Sequence, residues 1–172
     1  MRNCMHLRLP RHHNNGRRAL AACLLLCAIL LLRCTAAAGK DETVFPLDTA
    51  AWRVSDAYGW REDPFTGEET FHNGVDLACA EGTVVRAVQS GVVTVARRSA
   101  SYGNCLRILH ADGTELLYAH LQYLYVRTGE IVRAGEVLGT AGQTGRATGA
   151  HLHLELRRKG TLCDPSALLG LS

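Results

Sequence analysis

From Trp52 onward the apolar residues fall in short runs rich in valine, leucine and isoleucine, each closed by a polar or glycine-containing turn. The pattern predicts strands over Thr83–Val88, Gly91–Ala96, Cys105–Ala111 and Glu115–Leu121, with further strands near Ile131–Val132, Glu136–Gly139 and His151–Arg157. The breaks at Gln89-Ser90-Gly91, Tyr102-Gly103-Asn104 and Ala111-Asp112-Gly113 carry residues that favour tight turns. No window of eleven or more residues in this region repeats at the helical period of 3.6. Short strands joined by short turns predict an all-β domain of antiparallel sheets. The seventeen glycines against four prolines agree, because hairpin turns need glycine and a sheet interior excludes proline.

The first 38 residues follow another plan. Six arginines and no acidic residue accompany Ala19–Leu32, fourteen consecutive apolar residues, and Arg33-Cys34-Thr35-Ala36-Ala37-Ala38 follows. A helix of that length rises about 21 Å, short of a bilayer core of about 30 Å. Residues 1–38 are therefore expected to be a secretory signal peptide, with Ala36-x-Ala38 as small residues for cleavage, or else an uncleaved anchor whose basic end stays inside. Both readings place the remainder outside the cytoplasm, secreted or held at the outer face of the membrane. Residues 39–51 read as a linker of at most about 45 Å when extended, and residues 52–172 as one domain. Without the leader the chain holds 13 basic and 16 acidic side chains, so its basic balance belongs to the leader and no nucleic-acid partner is expected. Beyond the leader lie Cys79, Cys105 and Cys163, an odd number with no C-x-x-C pair. They read as small buried hydrophobes, or as one disulfide with a spare thiol.

Chemistry concentrates in three stretches. On a strand, His151 and His153 share one face while Leu152 and Leu154 face the other. In Phe71-His72-Asn73-Gly74-Val75-Asp76, a histidine on a glycine-loosened turn stands close to an aspartate entering a strand, one nitrogen and one oxygen donor together. In Tyr118-Ala119-His120-Leu121 a histidine sits near the end of an apolar strand. Each pattern alone is common in proteins without a metal. Taken together they match a catalytic zinc site, which needs three protein ligands and one open position. There is no His-Glu-x-x-His helix.

The order His-x-x-x-Asp, Tyr-x-His, His-x-His closely resembles the LytM/lysostaphin family of zinc endopeptidases, which cut bacterial peptidoglycan. The resemblance extends over Gly59-Trp60-Arg61-Glu62-Asp63-Pro64, Gly82-Thr83-Val84-Val85, Tyr102-Gly103-Asn104 and Gly142–His153, and covers roughly residues 52–166. It implies a compact all-β domain with a cleft. It also implies one zinc ion held by His72, Asp76 and His153, with His120 and His151 as catalytic histidines and peptidoglycan as the partner of a monomeric enzyme. The resemblance leaves a second reading, a non-hydrolytic scaffold or activator of other wall enzymes like the sporulation-type relatives. A biotinyl or lipoyl carrier is set aside because the only lysines, Lys40 and Lys159, lie in no suitable turn.

Further residues have two readings each. Glu155 shares the face of His151 and His153 and either holds a ligand imidazole from behind or is a solvated carboxylate. Tyr118 either lines the cleft or packs in the core. Arg61 either belongs to the loop that walls the cleft in relatives or is a surface arginine, and His110 is expected in solvent. Cys79, where relatives usually carry another residue, raises the question of a thiolate competing for the metal.

Overall fold

The computed structural model describes residues 43–171, so the leader read in residues 1–38 lies outside the described residues. Twelve strands follow one another: β1 (Arg53–Asp56), β2 (Gly59–Glu62), β3 (Glu69–His72), β4 (Val75–Ala78), β5 (Val84–Arg86), β6 (Gly91–Ser99), β7 (Gly103–His110), β8 (Thr114–Leu124), β9 (Ile131–Val132), β10 (Val137–Ala141), β11 (His151–Arg158) and β12 (Thr161–Cys163). Among the described residues the one helix is a single turn, α1 (Ser166–Leu169). The antiparallel all-β expectation holds. The main sheet runs β1-β4-β11-β8-β7-β6-β9, with β12 beside β11, while β10 joins the far end of β8 and carries β5. The strands β2 and β3 form a separate two-stranded ribbon.

Period-two alternation decides which side chains meet. Leu77 of β4, Leu152, Leu154 and Leu156 of β11, Leu116 and Tyr118 of β8 and Leu106 and Ile108 of β7 lie fully buried in one apolar cluster. Tyr118 is thus a core residue and does not line the cleft. Its hydroxyl accepts a hydrogen bond from the Val88 amide at 2.9 Å. Residues 44–48, within the stretch read as a linker, run along β5: the Val44 amide bonds the Val88 carbonyl and the Arg86 amide the Pro46 carbonyl, each at 2.8 Å, while Leu47 bridges to Val85 and is buried.

One break in alternation matters for the site. Leu106 pairs with Tyr118 and Asn104 with Leu121, so β8 takes three steps where β7 takes two. The extra residue bulges, and within it His120 adopts φ 61°. Strict alternation would have sent His120 into the core beside Tyr118; the left-handed backbone instead frees it for the opposite side.

Tyr118→Phe is expected to destabilise the domain by about 1–3 kcal/mol, because it leaves the Val88 amide buried without an acceptor. Urea unfolding should show a lower midpoint with an unchanged slope.

Candidate metal centre and cleft

The site is assembled by backbone register. β4 and β11 pair so that His153 lies opposite Asp76, and β11 and β8 pair so that His153 also lies opposite Ala119. The small Ala119 leaves room above the sheet for the rings. His72 ends β3 and enters from the ribbon. Gly74 makes that entry possible: a Cβ there would stand 2.2 Å from the Leu154 carbonyl oxygen and 3.1 Å from the His153 ring. Gly103, with φ 63°, packs so closely on Thr144 that a side chain would collide with it, which holds the 142–150 loop against the cleft.

Three atoms converge. His72 Nε2 lies 3.1 Å from His153 Nδ1, His153 Nδ1 lies 2.7 Å from Asp76 Oδ1, and His72 Nε2 lies 3.3 Å from the same oxygen. Hydrogen bonds on the far sides of the rings assign the tautomers. His72 Nδ1–H donates to the Ala57 carbonyl at 2.8 Å, and His153 Nε2 faces Glu155 Oε1 at 3.4 Å. With both outward nitrogens protonated, two imidazole lone pairs and a carboxylate oxygen point at one another. Such a cluster needs a cation. The ligand atoms of a tetrahedral zinc ion lie about 3.3 Å apart, so the residues fit that ion.

In the metal-free protein a proton serves instead. Burial works against a charged His153, yet its bond to Asp76 and its contact with Glu155 outweigh burial and raise it to about 9. Burial also opposes ionisation of Asp76, but His153 and His72 more than compensate and hold its carboxyl well below the usual range.

His120 and His151 stand beside this trio. Their ring centroids are 4.7 Å apart, and His120 lies 5.7 Å from the His153 ring. His120 Nδ1–H donates to the Thr144 carbonyl and His151 Nδ1–H to the Gly149 carbonyl, both at 2.8 Å, so each ring keeps Nε2 for other partners. His151 Nε2 is 3.7 Å from Asp76 Oδ2. Burial, reinforced by the neighbouring imidazoles, lowers His120 to about 4, against the opposing pull of its bond to Thr144. The four histidines and the aspartate singled out in the sequence therefore line one cleft of about 560 Å³, within the range of ligand sites.

Other readings are corrected. Glu155 is fully buried, not solvated, because β11 lies inside the sheet and is covered on both faces. His110 is also buried, with Nδ1 bonded to the Ser90 carbonyl at 2.9 Å. Arg61 lines the cleft and pairs with Asp56 at 2.6 Å. Cys79, which follows the end of β4, packs against the apolar cluster and takes no part in the trio. Cys79, Cys105 and Cys163 are all free thiols. Sequence reasoning missed Asp56, and it read Tyr102 only as part of a turn and as a matching motif. Tyr102 and Arg146 both line the cleft, and Arg146 bonds Asp63 across it at 2.9 Å.

The profile of Peptidase family M23 matches residues 70–165, and the chain belongs to that family. It is 45% identical over 113 residues to the DD-carboxypeptidase/endopeptidase Mpg of Neisseria meningitidis, covering 66% of this chain and 26% of that protein. It is 38% identical over 117 residues to the peptidoglycan DD-endopeptidase ShyA of Vibrio cholerae, covering 67% and 27% respectively. The chain thus spans about a quarter of the length of the curated relatives it matches. Among solved structures, the catalytic domain of lysostaphin from Staphylococcus simulans superposes with a TM-score of 0.63 at 31% identity, covering 69% of this chain and 92% of that one.

The two shifted histidines set opposite limbs of a stability profile in the metal-free protein. His153, raised from 6.5 to about 9, contributes stability that is complete below pH 6.5 and is lost as pH rises through 9. His120, lowered from 6.5 to about 4, binds a proton more readily when unfolded, so stability falls as pH drops from 6.5 towards 4. Denaturant midpoints of chelator-treated protein are expected to peak near the middle of this window, and His153→Ala is expected to flatten the alkaline limb.

Proposed function

We propose that the chain is a zinc-dependent endopeptidase that hydrolyses peptide bonds of bacterial cell-wall peptidoglycan, with His72, Asp76 and His153 holding one zinc ion and His120 and His151 acting as catalytic histidines. The observation that carries this reading is the convergence of three acceptor atoms within 3.3 Å of one another, beside two imidazoles that hold Nε2 free. Membership of a peptidase family supports hydrolysis, and the peptidoglycan DD-endopeptidase ShyA among its relatives supports the substrate class. The arginine-rich start and the apolar run 19–32 support action outside the cytoplasm, as a secreted or membrane-held monomer.

Zinc supplies Lewis acidity, lowering the pKa of a coordinated water to about 7 and polarising a peptide carbonyl. The chain's own residues do the rest. In this reading the cleft receives an extended peptide beside the β11 histidines. The low proton affinity of His120 keeps its Nε2 unprotonated at neutral pH, ready to take a proton from the attacking water. Once it has taken that proton, His120 carries hydrogen on Nε2 and can pass it to the leaving amine, with the His151 ring 4.7 Å away beside it. The carbonyls of Thr144 and Gly149 fix both rings so that little reorganisation is needed.

The purified protein is expected to bind about one zinc ion per chain and to solubilise peptidoglycan, with activity lost on chelation and restored by zinc. His153→Ala should abolish metal binding, whereas His120→Ala should keep zinc and lower kcat by about 10²–10⁴-fold. Mass spectrometry of the released muropeptides identifies the bond that is cut. A metal-free protein that binds a wall enzyme without cutting would establish the scaffold instead. Activity should also fall on acidification, because His153 must be unprotonated to hold the ion; full zinc occupancy and activity at about pH 4 would contradict the assignment.

A further inference from the structure

Behind the trio lies a carboxylate that the proposed chemistry does not use. Glu155 has no exposed surface, and its neighbourhood on that face includes Tyr102, beside the apolar cluster of Cys105, Leu117 and Ala119. An apolar side chain would suit such a place, since a buried charge is costly and hydrophobic replacements of buried polar groups are often neutral or stabilising. The carboxylate is instead held from several sides. Tyr102 Oη donates to Oε1 at 2.6 Å. His153 Nε2 faces the same oxygen at 3.4 Å, and the Arg157 guanidinium lies 3.5 Å from Oε2. Glu155 and His153 are two apart on β11, so the strand itself stacks the carboxylate against the outward edge of the ring.

We propose that Glu155 is a positioning residue for the metal centre: bonded by Tyr102 and lying beside the Arg157 guanidinium, it holds the Nε2–H of His153 and so keeps bare Nδ1 aimed at His72 and Asp76. The inference rests on His153 being a metal ligand. Without the carboxylate the ring is free to rotate about its last bond or to place hydrogen on Nδ1, and either change removes a donor from the trio. Carboxylates behind ligand histidines commonly contribute about 10–100-fold in metal affinity.

The test measures zinc dissociation constants of the full chain by competition with a chromophoric chelator, with circular dichroism and thermal unfolding of the chelated protein as checks on folding. Glu155→Ala is expected to weaken zinc binding about 10–100-fold. Glu155→Gln, which keeps the size and one acceptor oxygen, should fall between it and the parent, and Tyr102→Phe should weaken binding by a smaller factor. In nitrogen-correlated NMR of the zinc-loaded protein, the His153 Nε2–H should be protected from exchange in the parent and broadened by exchange in the alanine variant. Should Glu155→Ala fail to fold, Glu155→Gln and Tyr102→Phe carry the test. Zinc affinity within twofold of the parent for every folded variant, with an unchanged Nε2–H signal, overturns the positioning role and leaves the metal centre standing. A parent protein that binds no zinc overturns both.

Discussion

Three acceptor atoms cannot sit within 3.3 Å of one another in a protein interior unless something positive lies among them. The centre of this domain depends on that constraint. His72 and His153 have their outer nitrogens turned to acceptors, so their inner lone pairs oppose the Asp76 carboxylate and each other. Left metal-free, the cluster holds a proton on His153, whose affinity for it is raised by Asp76; under the proposed function a divalent ion takes that proton's place.

The backbone enforces this geometry with few degrees of freedom. Pairing of β4 with β11 puts Asp76 beside His153, and a slip by one residue would send both into the core while exporting Leu77 and Leu152. The apolar register and the chemical register are therefore one and the same, and the leucines that hold the sheet together also hold the ligands in place. Gly74 then lets β3 approach closely enough for His72 to reach them.

Much of this was legible in the sequence, for identifiable reasons. The strands β6, β7, β8 and β11 carry long Val/Leu/Ile runs, and the His151-Leu152-His153 alternation survives folding unchanged. The strands β1, β2 and β3 went unread because they are four residues long, mostly exposed and rich in polar residues, so neither periodicity nor burial marks them. Glu155 stayed open between two readings and His110 looked solvated, because a single sequence does not reveal that β11 is covered on both faces or that His110 folds back onto the Ser90 carbonyl. Tyr118 was ambiguous because spacing of two implies a shared face with His120, and nothing local in Tyr-Ala-His-Leu signals the bulge that separates them.

That bulge places opposing demands on one position. A residue with φ 61° and a side chain beyond Cβ sits in a region of backbone space that glycine occupies at lower cost. Position 120 would serve the sheet better as glycine, yet it carries an imidazole that lines the cleft. Under the proposed function, the histidine there gives up thermodynamic ease for reactivity at a single residue.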